Sequence, residues 1–319
     1  MRILSGIQPS GVLHIGNYFG MMRPALALQS EGEALYFIAD YHALTTIDNP
    51  KVLRANNRRV ALDFLACGLD PDRCALFKQS DVPQVAELAW ILSTVTPKAL
   101  LDRGTSYKDK VARGLPASAG LFTYPVLMAA DILIYDSDIV PVGKDQKQHL
   151  EMTRDIALKF NETFGETFKL PEPRIHAATE VVPGIDGQKM SKSYGNTLDI
   201  FADEKELRKR VMSVVTDSTP VAAAKDPAGS TIFQLYSLLA TDDEKEAMSA
   251  AFRRGGTGYG EFKQQLFAKL WEYFAPMRTR RAQIQAQPDY IDDVLARGAR
   301  RANAIANGVM SRVRDAVGL

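Results

Sequence analysis

Gly6-Ile-Gln-Pro-Ser-Gly-Val-Leu-His-Ile-Gly-Asn17 is the stretch that decides the fold. Met1 to Leu4, just before it, reads as a short apolar strand, and Tyr18 onward reads as a helix. Between them stand Gly6, Gly11 and Gly16, one proline and small polar residues. Glycine lets a backbone come close to a ligand and adopt positive φ. A strand, a glycine-rich turn and a helix N-terminus make an anion site, because free N–H groups and the helix dipole point the same way. The spacing is neither the dinucleotide fingerprint nor the Walker loop.

Working outward, the chain alternates strands with helices. Leu35 to Ala39 is a continuous apolar run, the pattern of a buried parallel strand. It ends in Asp40-Tyr-His-Ala43, which puts polar groups where open α/β sheets bind ligands. Asp48-Asn-Pro50 starts a helix that Gly68 stops. Ala75 to Phe77 is a third strand, and Asp81 is expected to cap a helix ended by Pro97. This rhythm implies a Rossmann-like, doubly wound parallel α/β sheet. After residue 200 the pattern turns helical, with helices near 204–214, 231–240, 242–253, 260–286 and 290–316. The expected division is therefore 1–200, a catalytic α/β domain, and 201–319, an α-helical domain.

Four further stretches carry chemistry. Lys98 to Arg113 is basic, either a solvated helix face or a segment that closes over phosphate. Tyr124-Pro-Val-Leu-Met-Ala-Ala-Asp-Ile-Leu-Ile-Tyr135 is apolar apart from Asp131. A carboxylate there costs free energy unless it is paired, so Asp131 is either a structural acid or the lining of a ligand pocket. Tyr124 and Met128 share its helix face. Asp138-Ile-Val-Pro-Val-Gly-Lys-Asp-Gln-Lys-Gln-His149 repeats the strand, glycine, helix arrangement. Asp145 can be a helix N-cap, a ribose acceptor or both. His149 reads as structural. Gly187-Gln-Lys-Met-Ser-Lys-Ser193 places two lysines three apart in a glycine-flanked loop.

Composition narrows the classes. Apolar residues are 46% and charged residues 24% of 319, as in ordinary globular proteins. A net charge of +1 excludes a globally basic nucleic-acid binder, so any RNA contact is a local patch. Pro276 to Leu319 holds such a candidate, with arginine clusters at 278, 280 and 281 and at 297, 300 and 301. Cys67 and Cys74 are too few for a disulfide framework and suggest a reducing, cytoplasmic setting. The four histidines have no zinc-ligand spacing, and no run has transmembrane length.

Pro9-Ser-Gly-Val-Leu-His-Ile-Gly-Asn17 resembles the first signature of class I aminoacyl-tRNA synthetases, and Lys189-Met-Ser-Lys-Ser193 resembles the second. The order of the two is that of the family, and the tryptophanyl branch is the best match over nearly the whole chain. That resemblance implies activation of L-tryptophan by ATP, with Mg²⁺ bound through the phosphates, and transfer of the amino acid to the 3′ end of its tRNA. It implies that His14, Lys110, Lys189 and Lys192 serve catalysis. ATP would rest on Gln8, Pro9, Ser10, Gly16, Asn17, Gly143, Lys144, Asp145, Val181, Met190, Ser191 and Ser193 besides the loop lysines. Tryptophan would meet Asp131, Gln146, Tyr124, Met128, His42 and Ser5, with Asp131 accepting the indole N–H. A homodimer in the cytoplasm, with no membrane association and the helical domain on the tRNA anticodon, completes the expectation.

Three rivals stay open at this point. A tyrosyl synthetase shares both signatures and differs in the amino acid it activates. A small nucleotidyltransferase would not need the long helical part. A non-catalytic RNA-binding regulator would be expected to lose the lysine loop, which is intact.

Overall fold

The computed structural model describes residues 1–112, 114, 117–142, 147–175 and 182–319, with backbone alone at 105, 106, 109, 110, 142 and 173–175. Five parallel strands form one sheet: β1 (Arg2–Ile7), β2 (Glu33–Ile38), β3 (Ala75–Lys78), β4 (Ile139–Val142) and β5 (Glu172–Ile175). Their order is β3-β2-β1-β4-β5, so the chain winds out to one edge and then crosses to the other. The strand order reverses between β1 and β4, and ligands of such sheets bind outside the strand ends at that point. The doubly wound α/β sheet expected from the sequence is present. β5 was not among the expected strands.

The described chain forms two compact units. The first holds Met1–Gly11, Ala25–Ala177 and Ile284–Leu319, the second Val12–Pro24 and Ala178–Gln283. These bounds differ from the expected 1–200 and 201–319 at residues 12–24, 178–200 and 284–319, and for the last of these the C-terminal helix is the reason. Tyr290–Val317 packs on β3 and on the Gln84–Val95 helix of the sheet unit. Its Ala302, Ala306, Val309, Met310 and Val313 are buried in the same core as Phe77, Leu88 and Leu133. Gly298 permits the approach, since a Cβ built there would overlap the Leu76 backbone. Arg297 and Arg301, expected in a basic surface cluster, instead pair with Asp72 at 2.9 Å and Glu33 at 3.2 Å.

Local chemistry sets the helices of the sheet unit. Asn49 caps the Pro50–Ala66 helix by accepting from the N–H groups of Lys51 and Val52. Asp81 does not cap a long helix. It closes a short turn with Lys78, at 3.0 Å, and the helix begins at Gln84. Ser118 caps the Ala119–Leu133 helix, which buries Val126, Ala129, Ile132 and Leu133 beside Asp131. The basic segment breaks into helices Lys98–Leu101 and Thr105–Ala112, and Lys98 pairs with Asp102 at 2.8 Å.

The second unit is helical. Ile15–Asn17 is a helical turn that closes the motif, and a π-type turn at Tyr18–Met22 follows it. Helices Glu204–Met212, Thr231–Ser237, Asp242–Arg254 and Tyr259–Tyr273 come after the lysine loop, and Ala275–Gln285 leads out of the unit. Thr241 and Glu244 form a reciprocal cap, and Asp203 caps its helix by accepting the Glu206 N–H. Among the described residues, no helix is long and apolar enough to cross a membrane.

Candidate active site

In the sheet unit, a polar network is buried under the carboxyl ends of the strands. Asp131 is 1% exposed, on the Ala119–Leu133 helix. Its Oδ2 stands 2.8 Å from His42 Nε2, and Gln79 Nε2 donates to Oδ1 at 2.8 Å and to Oδ2 at 2.9 Å. Gln79 follows β3, and its Oε1 accepts the Tyr41 N–H at 3.0 Å. Burial pushes the Asp131 carboxyl above its usual range, against the pull of His42 and Gln79. A carboxylate can accept about four hydrogen bonds, so Oδ1 retains capacity for one more donor. Tyr124 Oη bonds His149 Nε2, and the Tyr124 ring lies 6.4 Å from that of His42. The structure thus brings His42, Asp131 and Tyr124 together and adds two residues, Gln79 and His149. Met128 packs partly buried on the core from the same helix, and Ser5 is buried on β1.

A second carboxylate, Asp40, is buried at the end of β2. It accepts Ser80 N–H at 2.9 Å, Ser80 Oγ–H at 2.6 Å and Asn57 Nδ2–H at 3.2 Å. The neighbouring Asn56 donates to the Pro9 carbonyl at 2.9 Å, which fixes the glycine-rich turn on the Pro50–Ala66 helix. Within that turn Ser10 N–H bonds the Gln8 carbonyl at 2.8 Å, and Gly11 takes φ 95°, a conformation that favours glycine. Gln8 and Ser10 are exposed and Pro9 is buried.

The second unit assembles the other half of the first signature with the second signature. His14 caps the short helix, its Nδ1 accepting the Asn17 N–H at 3.3 Å while Asn17 Oδ1 accepts the His14 N–H at 3.3 Å. Burial, then the Lys192 charge, lower His14 from 6.5 to about 4. The imidazole is therefore neutral at pH 7. With Nδ1 occupied as an acceptor, its proton sits on Nε2, which makes that atom a donor. Gly16 lies against the loop: a Cβ there would meet Met190 Cβ at 3.3 Å. Ile15 N–H bonds the Leu198 carbonyl at 2.9 Å, so residues far apart in sequence form one surface.

The lysine loop is a small hairpin. Pro183 and Lys189 form an antiparallel bridge, and Met190 N–H bonds the Val182 carbonyl at 2.9 Å. Lys189, Lys192 and Ser193 are exposed, while Met190 is buried. Ser191 Oγ and Ser193 Oγ share a hydrogen bond of 2.8 Å. A short turn, Lys192–Tyr194, ends at Gly195 with φ 63°.

Of the residues expected from sequence, Gly143, Lys144, Asp145, Gln146 and Val181 lie outside the described residues, as does the Lys110 side chain. Sequence reasoning passed over Gln79 and Asn56, and met Asn196 only as the end of Tyr194-Gly-Asn196 after the lysine loop, with no role attached. Gln79 carried a usable signal, a polar residue directly after an apolar strand, the same position that drew attention to Asp40.

A family model described as tRNA synthetases class I (W and Y) matches residues 1–275. The tryptophan–tRNA ligase of Rhodopirellula baltica is 54% identical over the full length of both chains. That of Fusobacterium nucleatum is 53% identical, covering 100% of this chain and 98% of the relative. The crystal structure of a tryptophanyl-tRNA synthetase from Campylobacter jejuni, complexed with ADP and tryptophan, superposes with a TM-score of 0.95 at 47% identity, covering 100% of both chains.

Proposed function

We propose the function of this chain from one premise: it belongs to the class I tRNA synthetases of the W and Y type. It is an aminoacyl-tRNA ligase that activates L-tryptophan with ATP and transfers it to tRNA. The observation that carries this is the full-length match, in sequence and in structure, to tryptophan-specific members, one of them holding ADP and tryptophan. The family model spans W and Y members alike, and it is the tryptophan–tRNA ligases at 53% and 54% identity over the full chain that decide between them.

The chemistry follows from the substrates. The tryptophan carboxylate is already ionised at pH 7, so no general base is needed. Its oxygen attacks the α-phosphorus of ATP, the Pα–O bond to the β-phosphate breaks, and pyrophosphate leaves. A ribose hydroxyl at the tRNA 3′ end then attacks the acyl carbon, and AMP leaves. The protein supplies in-line positioning and cover for charge growing on the phosphates.

Site roles are part of the proposal. His14 Nε2 donates to a phosphate, and Gln8 to Ser10, Gly16 and Asn17 contact the nucleotide. Lys189, Ser191 and Lys192, with Lys110, neutralise the departing pyrophosphate, and ATP enters as its Mg²⁺ complex. Asp131 accepts the indole N–H at its remaining Oδ1 position, held in place by His42 and Gln79. Gly143 to Gln146 bind the ribose and the amino acid's polar end. The helices of residues 201–283 meet the tRNA anticodon. A cytoplasmic homodimer completes the reading. Pyrophosphate exchange tests it: tryptophan should support exchange and tyrosine should not, and exchange with tyrosine alone would reverse the assignment.

A further inference from the structure

We propose that Asn196 is the positioning residue of the lysine loop. Its buried carboxamide fixes where Lys189 and Lys192 stand, and so sets the rate at which the ATP phosphates react. The inference rests on the reading of that loop as the phosphate-binding element.

Asn196 follows the loop and is 1% exposed. Each polar atom of its side chain reaches a different point of the loop. Nδ2 donates to Asp186 Oδ1 at 2.8 Å and to the Lys189 carbonyl at 3.1 Å. Oδ1 accepts the Ser191 N–H at 2.8 Å. Its backbone carbonyl accepts the Ile185 N–H at 2.9 Å. One residue therefore grips the start of the hairpin tip, the backbone of the first lysine and the amide preceding the second.

Two features of the chain exist to allow this. Gly195 turns with φ 63°, which brings Asn196 back under the loop. Gly184 leaves the space that the carboxamide fills, since a Cβ there would overlap Asn196 Nδ2. Two lysines on one short loop repel each other, and a loop held by its own charges would move when a phosphate takes them. A neutral carboxamide bonded to backbone holds the loop without engaging either ammonium group. Only a side chain with both donors and an acceptor can do so. A carboxylate at 196 would face Asp186, whose pKa is lowered chiefly by the Asn196 hydrogen bond.

The test compares Asn196→Asp, the exchanged pair Asn196→Asp with Asp186→Asn, and Lys192→Ala. Each is measured by pyrophosphate exchange and by the rate of tryptic cleavage after Lys189 and Lys192. Asn196→Asp should lower kcat about 10- to 100-fold with tryptophan KM within about twofold, the signature of misplaced transition-state contacts. It should also speed cleavage of the loop. The exchanged pair restores the 186–196 bond and should recover part of both effects; no recovery overturns the proposal. Wild-type kcat and cleavage in Asn196→Asp, with Lys192→Ala inactive, would overturn it and leave the loop's role standing. Wild-type activity in both variants would remove the loop's role itself. If Asn196→Asp does not fold, Gly184→Ala, which keeps the carboxamide but fills its space, is measured with the same expectation.

Discussion

At the scale of single residues, His14 shows how a fold selects a protonation state. Its value in the folded chain, about 4, lies below the 6.5 of an exposed imidazole. The unfolded chain therefore takes up the proton first. His14's contribution to stability is complete above about 6.5 and is lost as pH falls from there to about 4. An NMR titration of the His14 ring should give a midpoint near 4, and a midpoint near 6.5 would contradict the buried, Lys192-facing geometry. Lys192 itself should behave as a transition-state group. Lys192→Ala should lower kcat for pyrophosphate exchange by roughly 10²-fold or more, the usual loss when one preorganised electrostatic donor is removed. Asp131→Asn keeps the shape but loses the charge that His42 and Gln79 surround. It should lower kcat/KM for tryptophan by about 1.5–3 kcal/mol, the range for hydrogen bonds to charged groups, while ATP KM stays within about twofold. Equal discrimination between tryptophan and an N-methyl-indole analogue, before and after the change, would make Asp131 structural only.

Elements differ in how far the sequence discloses them. The glycine-rich turn, the lysine loop and the caps at Asp203 and Thr241 rest on neighbours within a few residues, so the sequence states them directly. β5 was invisible because Glu172-Pro-Arg-Ile175 is four residues long with a proline in it, too short for any period to register. Gln79 and Asn196 act through partners 52 and up to 10 residues away, and single polar residues carry no periodicity. The Tyr290–Val317 helix was legible as a helix, but an amphipathic pattern does not name the surface it covers. That surface is β3. Gly298→Ala should therefore cost about 1–3 kcal/mol or more, as overpacking does, read as a lower urea midpoint. Breaking the pair that Arg314 of this helix makes with Glu87 of the Gln84–Val95 helix should cost no more than about 1 kcal/mol, because the two side chains are 40% and 39% exposed. If Gly298→Ala were as mild as Arg314→Ala, the helix would not sit tightly on β3.

For the whole molecule, the sheet architecture and both signatures were readable, and the family they implied is the family found. What the sequence did not reveal is how the units are composed. Residues 12–24 belong with 178–283, and 284–319 belong with the sheet. Contacts across such spans leave no local trace. The proposed closed C2 assembly predicts a light-scattering mass of twice 35.2 kDa, and a monomer at micromolar concentration would refute it.

The C-terminal helix has a consequence for how the protein is made. Most domains can begin to fold as their N-terminal part leaves the ribosome. Here β1, β2 and β3 emerge early, yet one side of β3 is covered by a helix that lies far downstream in the chain, at Tyr290–Val317. Until Val313 is outside the exit tunnel, the nascent sheet presents an unfilled apolar face. Apolar surface left open in this way is what makes a growing chain prone to aggregate. A chain that stops before Tyr290 would have nothing to cover that face of β3.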